Sequence, residues 1–168
     1  MYYFELLEEL YKNNARYLIV GGLAVNLHGI PRVTQDIDIV IAIKRDNILK
    51  VNAILKKLGY KPRLPVNPDD MVDAEKVKDW IANKNLRAFS FYHQKDSYKV
   101  VDILLVHPLN FEKAFENKAV KRAKDIEIYV ASIDDLMQMK KDTGRSQDSS
   151  DIEMLKRVKK YLGEENHE

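Results

Sequence analysis

A chain of 168 residues with 45% hydrophobic and 32% charged side chains suits one soluble domain, since a chain of that size buries roughly 70% of the surface its unfolded form exposes. The absence of cysteine excludes disulfides, thiolate metal sites and a cysteine nucleophile, so any metal must be held by oxygen or histidine. With 28 basic against 26 acidic residues the net charge is only +2, too little to advertise nucleic-acid binding from charge alone.

Tyr3, Leu6, Leu7, Leu10 and Tyr11 recur at helical spacing, which predicts an amphipathic helix over residues 2–13, closed by Asn13-Asn14. Its acids stand where a secretory leader needs a basic segment, and no uncharged apolar stretch nears the ~20 residues of a membrane span. The expectation is a cytoplasmic protein with no membrane segment. Tyr17 to Val20 is a short apolar run ending at Gly21-Gly22, and Leu23 to His28 read as a helix before Gly29-Ile30-Pro31. Asp36 to Ile43 is β-branched and apolar apart from its two acids, a second strand. Residues 46–58 carry helical spacing up to a stop at Gly59.

Pro62, Pro65 and Pro68 predict a loop over 61–70, followed by a helix over 71–83. Leu86 to His93 and Tyr98 to Val106 read as strands joined by a hairpin at 94–97, and Phe111 to Asn117 as a helix. Ala119 to Ala123 and Ile126 to Val130 form a second, shorter β pair. Two helices follow from Ile133, split at Thr143-Gly144. The organisation predicted is one α/β (α+β) domain over 1–162, a mixed sheet flanked by helices with a C-terminal helix pair, and a polar tail over 163–168.

Three acids break the apolar logic of their strands. In Asp36-Ile-Asp-Ile-Val-Ile the strand period of two sends Asp36 and Asp38 to one face and the isoleucines to the other. Asp102 is a lone carboxylate inside Tyr98-Lys-Val-Val-Asp-Ile-Leu-Leu-Val106. An ionised, unpaired carboxylate in such surroundings costs several kcal/mol, and gathering like charges adds to that. Any one of these acids alone would be read as solvated or arginine-paired; the three together ask for a neutralising partner, and a pair of Mg²⁺ or Mn²⁺ ions supplies it. Gly21 and Gly22 let backbone amides approach phosphate oxygens, and a following helix start favours an anion. A glycine pair alone is more often just a tight turn.

The segment from Val20-Gly-Gly-Leu-Ala-Val-Asn-Leu-His-Gly-Ile-Pro-Arg-Val-Thr-Gln to Asp36-Ile-Asp-Ile-Val-Ile41 strongly resembles the nucleotidyltransferase superfamily related to DNA polymerase β. Members carry a glycine-glycine or glycine-serine turn, a helix, an Asp-x-Asp strand and a third acid on a later strand. His-Gly followed by Arg-x-Thr-x-Asp-Ile-Asp is similar to the small standalone branch that includes abortive-infection toxin transferases and, more distantly, lincosamide nucleotidyltransferases. The run from Lys140 through Gly-Arg-x-x-Asp-x-x-Asp to Glu153 is similar to the closing helix pair of these proteins.

The resemblance implies transfer of a nucleotide from an NTP to an acceptor hydroxyl, with Asp36, Asp38 and Asp102 as metal ligands and catalytic groups. It also implies phosphate contacts by Gly21, Gly22, Arg32, Thr34 and Lys140. Asp102 would take the acceptor's proton. Thr34 reads equally as a cap on the strand and Arg32 as a surface charge. His28 reads better as a helix-end residue, and Asp148 and Asp151, with Arg145 near them, as cap and first-turn acids. Glycine stands at the second turn position where many active members have serine, so no hydroxyl is available there. The acceptor expected is RNA such as a tRNA end, a protein side chain, or a small molecule such as an antibiotic. The alternative reading is a catalytically degenerate, nucleotide-binding or antitoxin-like module acting through a partner, as in toxin–antitoxin pairs.

Overall fold

The computed structural model describes residues 3–141 and 145–165. The expected break at Thr143-Gly144 lies outside the described residues, as do the last three residues of the expected tail.

Among the described residues seven strands form a single sheet: β1 (Tyr17–Val20), β2 (Ile37–Ile41), β3 (Tyr60–Pro62), β4 (Ala88–His93), β5 (Val100–Leu104), β6 (Ala119–Ala123) and β7 (Ile126–Val130). Their order is β3-β4-β5-β2-β1-β7-β6. The β2–β5 and β1–β7 contacts are parallel and the other four antiparallel. This is a mixed α/β architecture, as the alternation of patterns predicts. The late pair β6–β7 is not separate: β7 joins β1 through Ile19 opposite Val130, extending the sheet to seven strands.

Among the described residues seven α-helices surround the sheet: α1 (Phe4–Lys12), α2 (Gly21–Leu27), α3 (Arg45–Lys57), α4 (Ala74–Lys84), α5 (Phe111–Glu116), α6 (Ile133–Lys140) and α7 (Ser146–Glu165). In α1 the 3.6-residue period places Leu6, Leu7 and Leu10 fully inside. Asp73 caps α4 by accepting the backbone N–H groups of Glu75 and Lys76, Asn110 caps α5, and Ser132 caps α6. The α3 helix stops where expected, at Gly59 with φ +92°; a Cβ there would also stand 3.1 Å from His93 Nε2.

Two expectations need correction. The segment 61–70 is not all loop: Tyr60–Pro62 is a short strand at the sheet edge, a place that tolerates proline, and Pro68–Val72 is a 3₁₀ turn capped by Asn67. Helix α7 also continues through Gly163 to Glu165, past the expected start of the tail.

The two sheet faces differ in chemistry. One carries Ile37, Ile39, Val101, Ile103, Phe89 and Phe91, all buried, with α4 packing Trp80 against Phe89 at 5.6 Å between ring centroids. Phe89 and Phe91 thus serve the core, as strand aromatics ordinarily do. The opposite face carries the acids.

Candidate active site

Pairing register places the carboxylates. Asp38 lies opposite Asp102 across the parallel β2–β5 pair, and opposite Val20 at the end of β1. Because side chains at one register position of neighbouring strands share a face, Asp38 and Asp102 stand side by side. Asp36 sits one residue before β2, more exposed, and still feels the charge of Asp102.

The glycine pair abuts these acids, although not as a turn ahead of a helix: α2 begins at Gly21 itself. Gly21 has φ +69°, and a Cβ built on it would lie 2.3 Å from Asp38 Oδ2. Any side chain there would occupy the space beside the carboxylate. A Cβ on Gly22 would meet Thr34 Oγ1 at 2.9 Å, so the glycines and the 32–34 segment are in close contact. Thr34 donates to the Asp36 carbonyl at 3.3 Å.

A cleft of about 430 Å³ gathers Gly21, Gly22, Arg32, Thr34, Asp36, Asp38, Asp102, Lys140 and Arg145. All eight candidate positions therefore line one hollow. A second chamber of about 260 Å³ adjoins it, sharing Gly21, Asp38 and Lys140, and is otherwise mostly apolar through Val20, Leu104, Val106, Pro108, Leu136 and Met139. A larger hollow of about 820 Å³ beside α3 and β3 contains none of the candidate residues.

The electrostatics follow from the crowding. Burial pushes the Asp38 carboxyl up to about 7, helped by the charge and hydrogen bond of Asp102 and by Asp36, with Lys140 opposing. Asp36 is raised by burial and by Asp102, with Arg63 opposing. The Tyr3 phenol is raised as well, first by burial and then by the three carboxylates. Its hydroxyl donates to the Gln35 carbonyl and receives the Val100 N–H at 3.1 Å. Tyr3 thereby ties the start of α1 to the segments that carry Asp36 and Asp102. Sequence reading sees only its apolar helical spacing.

Lys140, Asp148 and Asp151 are all buried and mutually paired. Lys140 Nζ lies 3.1 Å from Asp148 Oδ1 and 3.0 Å from Asp151 Oδ2. Arg145 bonds Asp148 at 2.7 Å, and Arg32 Nη1 reaches Asp151 Oδ2 at 2.5 Å. The structural reading of the two aspartates fits this geometry, with Arg32 as a partner that spacing alone does not disclose. Arg32 and Lys140 stand at the cleft wall held by acids of α7. His28 follows α2 and bonds the Ala131 carbonyl through Nε2 at 2.8 Å; it joins α2 to the end of β7 and is absent from the cleft. Its pKa is lowered, chiefly by burial.

The donor chemistry around Asp38 suits a hard cation: two carboxylates stand side by side in register, and the missing Gly21 side chain leaves room beside Asp38 Oδ2. Among the described residues no group of three acidic or histidine side chains converges tightly enough to enclose an ion. Protein oxygens here can therefore supply only part of a coordination shell. Sites of that kind take the remainder from substrate phosphates and water.

Residues 1–160 match the family model described as "Nucleotidyltransferase of unknown function (DUF6036)". No curated protein matches by sequence. Among solved structures, the lincosamide antibiotic adenylyltransferase LnuA in its lincomycin-bound form is similar with a TM-score of 0.58 at 20% identity. The match covers 92% of this chain and 94% of that one. The antibiotic-resistance factor ANT(2'')-Ia in complex with adenylyl-2''-tobramycin is similar with a TM-score of 0.52 at 11% identity, over 92% and 89% of the two chains. A solution structure of ANT(2'')-Ia gives a TM-score of 0.50 at 12% identity, over 97% and 92%. At these identities the likeness is one of fold. The family match spans nearly the whole chain, so the protein belongs to the DUF6036 nucleotidyltransferases.

Proposed function

We propose that this DUF6036 nucleotidyltransferase moves a nucleoside monophosphate from an NTP to an acceptor hydroxyl in the cleft above Asp38, with a divalent ion, Mg²⁺ or Mn²⁺, bound together with the triphosphate. The observation that carries the reading is the register pairing of Asp38 with Asp102 beside the bare backbone of Gly21. Asp36 and Asp38 would hold the ion, with Asp102 at its acceptor side. When bound, it would supply charge stabilisation to the phosphates and lower the pKa of an oxygen on it.

The chain's own residues do the positioning. Gly21 and Gly22 offer backbone next to the carboxylates, and Thr34, Arg32 and Lys140 line the same cleft as phosphate contacts. Arg32 and Lys140 are pre-placed by Asp151, which lowers the ordering cost of contacting a phosphate. Asp102 accepts the proton of the acceptor hydroxyl as its oxygen attacks the α-phosphorus. The bond to the β-phosphate oxygen breaks and pyrophosphate leaves. The apolar chamber under Leu136 and Met139 suits the nucleoside or the body of the acceptor.

Small hydroxylated molecules come first among acceptors, because two solved proteins of this fold hold lincomycin and an adenylylated tobramycin. RNA comes second. The test is label transfer from each α-labelled NTP with Mg²⁺ to a lincosamide, an aminoglycoside, or total tRNA. Labelled product that disappears in Asp38→Asn supports the reading. Absence of both label transfer and Mg²⁺-dependent NTP binding would replace it with the non-catalytic module.

A further inference from the structure

The mechanism leaves Ser90, a polar side chain on the acid face, unused. Ser90 sits in Ala88-Phe-Ser-Phe-Tyr-His93, directly opposite Asp102 in the antiparallel β4–β5 pair. Its aromatic neighbours Phe89 and Phe91 point to the core face and are buried, so the strand period turns Ser90 toward the acids. Its hydroxyl donates to Asp102 Oδ1 at 2.5 Å, within the range of a charge-assisted O–H···O⁻ bond. Opposed residues of an antiparallel pair keep their Cβ atoms about 5 Å apart, which a serine bridges without strain. The Ser90 carbonyl meanwhile receives the Arg63 N–H at 2.9 Å. Ser90 is thus fixed from β5 on one side and from the segment after β3 on the other.

We infer that Ser90 is a positioning residue: by holding Oδ1 it sets the plane of the Asp102 carboxylate, so that the remaining oxygen faces Asp38 and the incoming acceptor hydroxyl. A carboxylate turns about a broad, two-fold χ2 torsion, and a single strong bond to one oxygen selects one half of that rotation. The inference rests on the role given to Asp102 above. Ser90 itself touches neither substrate nor ion. It acts through Asp102, so its loss slows the transfer step and leaves NTP capture intact.

The experiment pairs two readouts. The first is kcat and KM for the NTP in Ser90→Ala and Ser90→Thr, with the acceptor from the transfer screen, or water through pyrophosphate release. The expected result is kcat down about tenfold in Ser90→Ala, as for loss of one oriented hydrogen bond worth about 1.4 kcal/mol, with KM unchanged. Ser90→Thr keeps the hydroxyl on a β-favouring side chain and should restore kcat. The second readout requires no acceptor: the side-chain ¹³C carboxyl resonance of Asp102, assigned through Asp102→Asn, should move in Ser90→Ala and return in Ser90→Thr, while that of Asp70 stays put. An unmoved Asp102 resonance in Ser90→Ala, or wild-type kcat, overturns the inference. Full transfer in Asp102→Asn would instead overturn the proposed role of Asp102, and the two failures are distinct.

Discussion

Two groups of aspartates serve one cleft, one lining it directly and the other behind Lys140 and Arg32, and they are treated in opposite ways. In the α6–α7 group, Asp148 and Asp151 are almost wholly buried, and Lys140, Arg145 and Arg32 meet them within about 3.1 Å. In the β2–β5 group, Asp38 and Asp102 meet each other, and burial plus that encounter drives the Asp38 pKa up to about 7. A buried charge that serves only the fold is neutralised inside the chain. On the proposed reading the second group is completed by a phosphate-borne divalent ion, which has the required charge and ligand preference.

The widest gap between the groups concerns activity. Asp38→Asn and Asp102→Asn should each lower nucleotidyl transfer by more than about 10²-fold, a magnitude typical of losing one group that stabilises the transition state. Neither should lower the melting temperature, since each relieves repulsion between neighbouring carboxylates. A variant that is inactive because it is unfolded would break the comparison. The mirror experiment is Asp151→Ala, which takes from Arg32 its buried carboxylate and from Lys140 one of its two; breaking a buried pair of this kind costs about 3–5 kcal/mol, read as a large fall in the urea midpoint. An unchanged midpoint would place these charges among the ordinary surface pairs.

Gly21→Ala acts on both sides of the divide. At φ +69° with a Cβ 2.3 Å from Asp38 Oδ2, the substitution should destabilise by about 1–3 kcal/mol and displace the carboxylate. Calorimetric NTP binding should weaken with it.

The pH response sharpens the contrast further. A carboxyl whose folded pKa is raised, as those of Asp38 and Asp36 are, binds its proton more tightly folded than unfolded. For Asp38 that contribution to stability is fullest below about pH 4 and is lost as pH climbs to about 7. Proton and metal compete for the same oxygens, so the thermal shift produced by Mg²⁺ with NTP should grow across the approach to pH 7. In Asp38→Asn both slopes should flatten. Smallest of all is Arg145→Ala: its side chain is 71% exposed, and the expected stability change is under about 1 kcal/mol.

The acids were legible in the chain because a strand period of two makes a carboxylate in an apolar run conspicuous, and Asp36, Asp38 and Asp102 all stand in such runs. Gly21-Gly22 was legible as a close-approach point, though not as the first turn of α2. Ser90 was not legible. A serine between two phenylalanines gains meaning only when the strand order makes β4 the neighbour of β5. Lys140 could be placed at the cleft, but its pairing with Asp148 and Asp151 depends on how α6 and α7 pack. The Arg32–Asp151 bond spans 119 positions, beyond any local pattern. The union of β6–β7 with the main sheet likewise rests on one parallel contact to β1, where no short turn announces the partner.

Isothermal titration of an NTP into the wild-type protein and Asp38→Asn, each with and without Mg²⁺, addresses the central claim most directly. The account predicts NTP binding that requires Mg²⁺ in the wild type and disappears in Asp38→Asn despite an intact fold. Equal affinity with and without the ion, or undiminished binding in the variant, would contradict it.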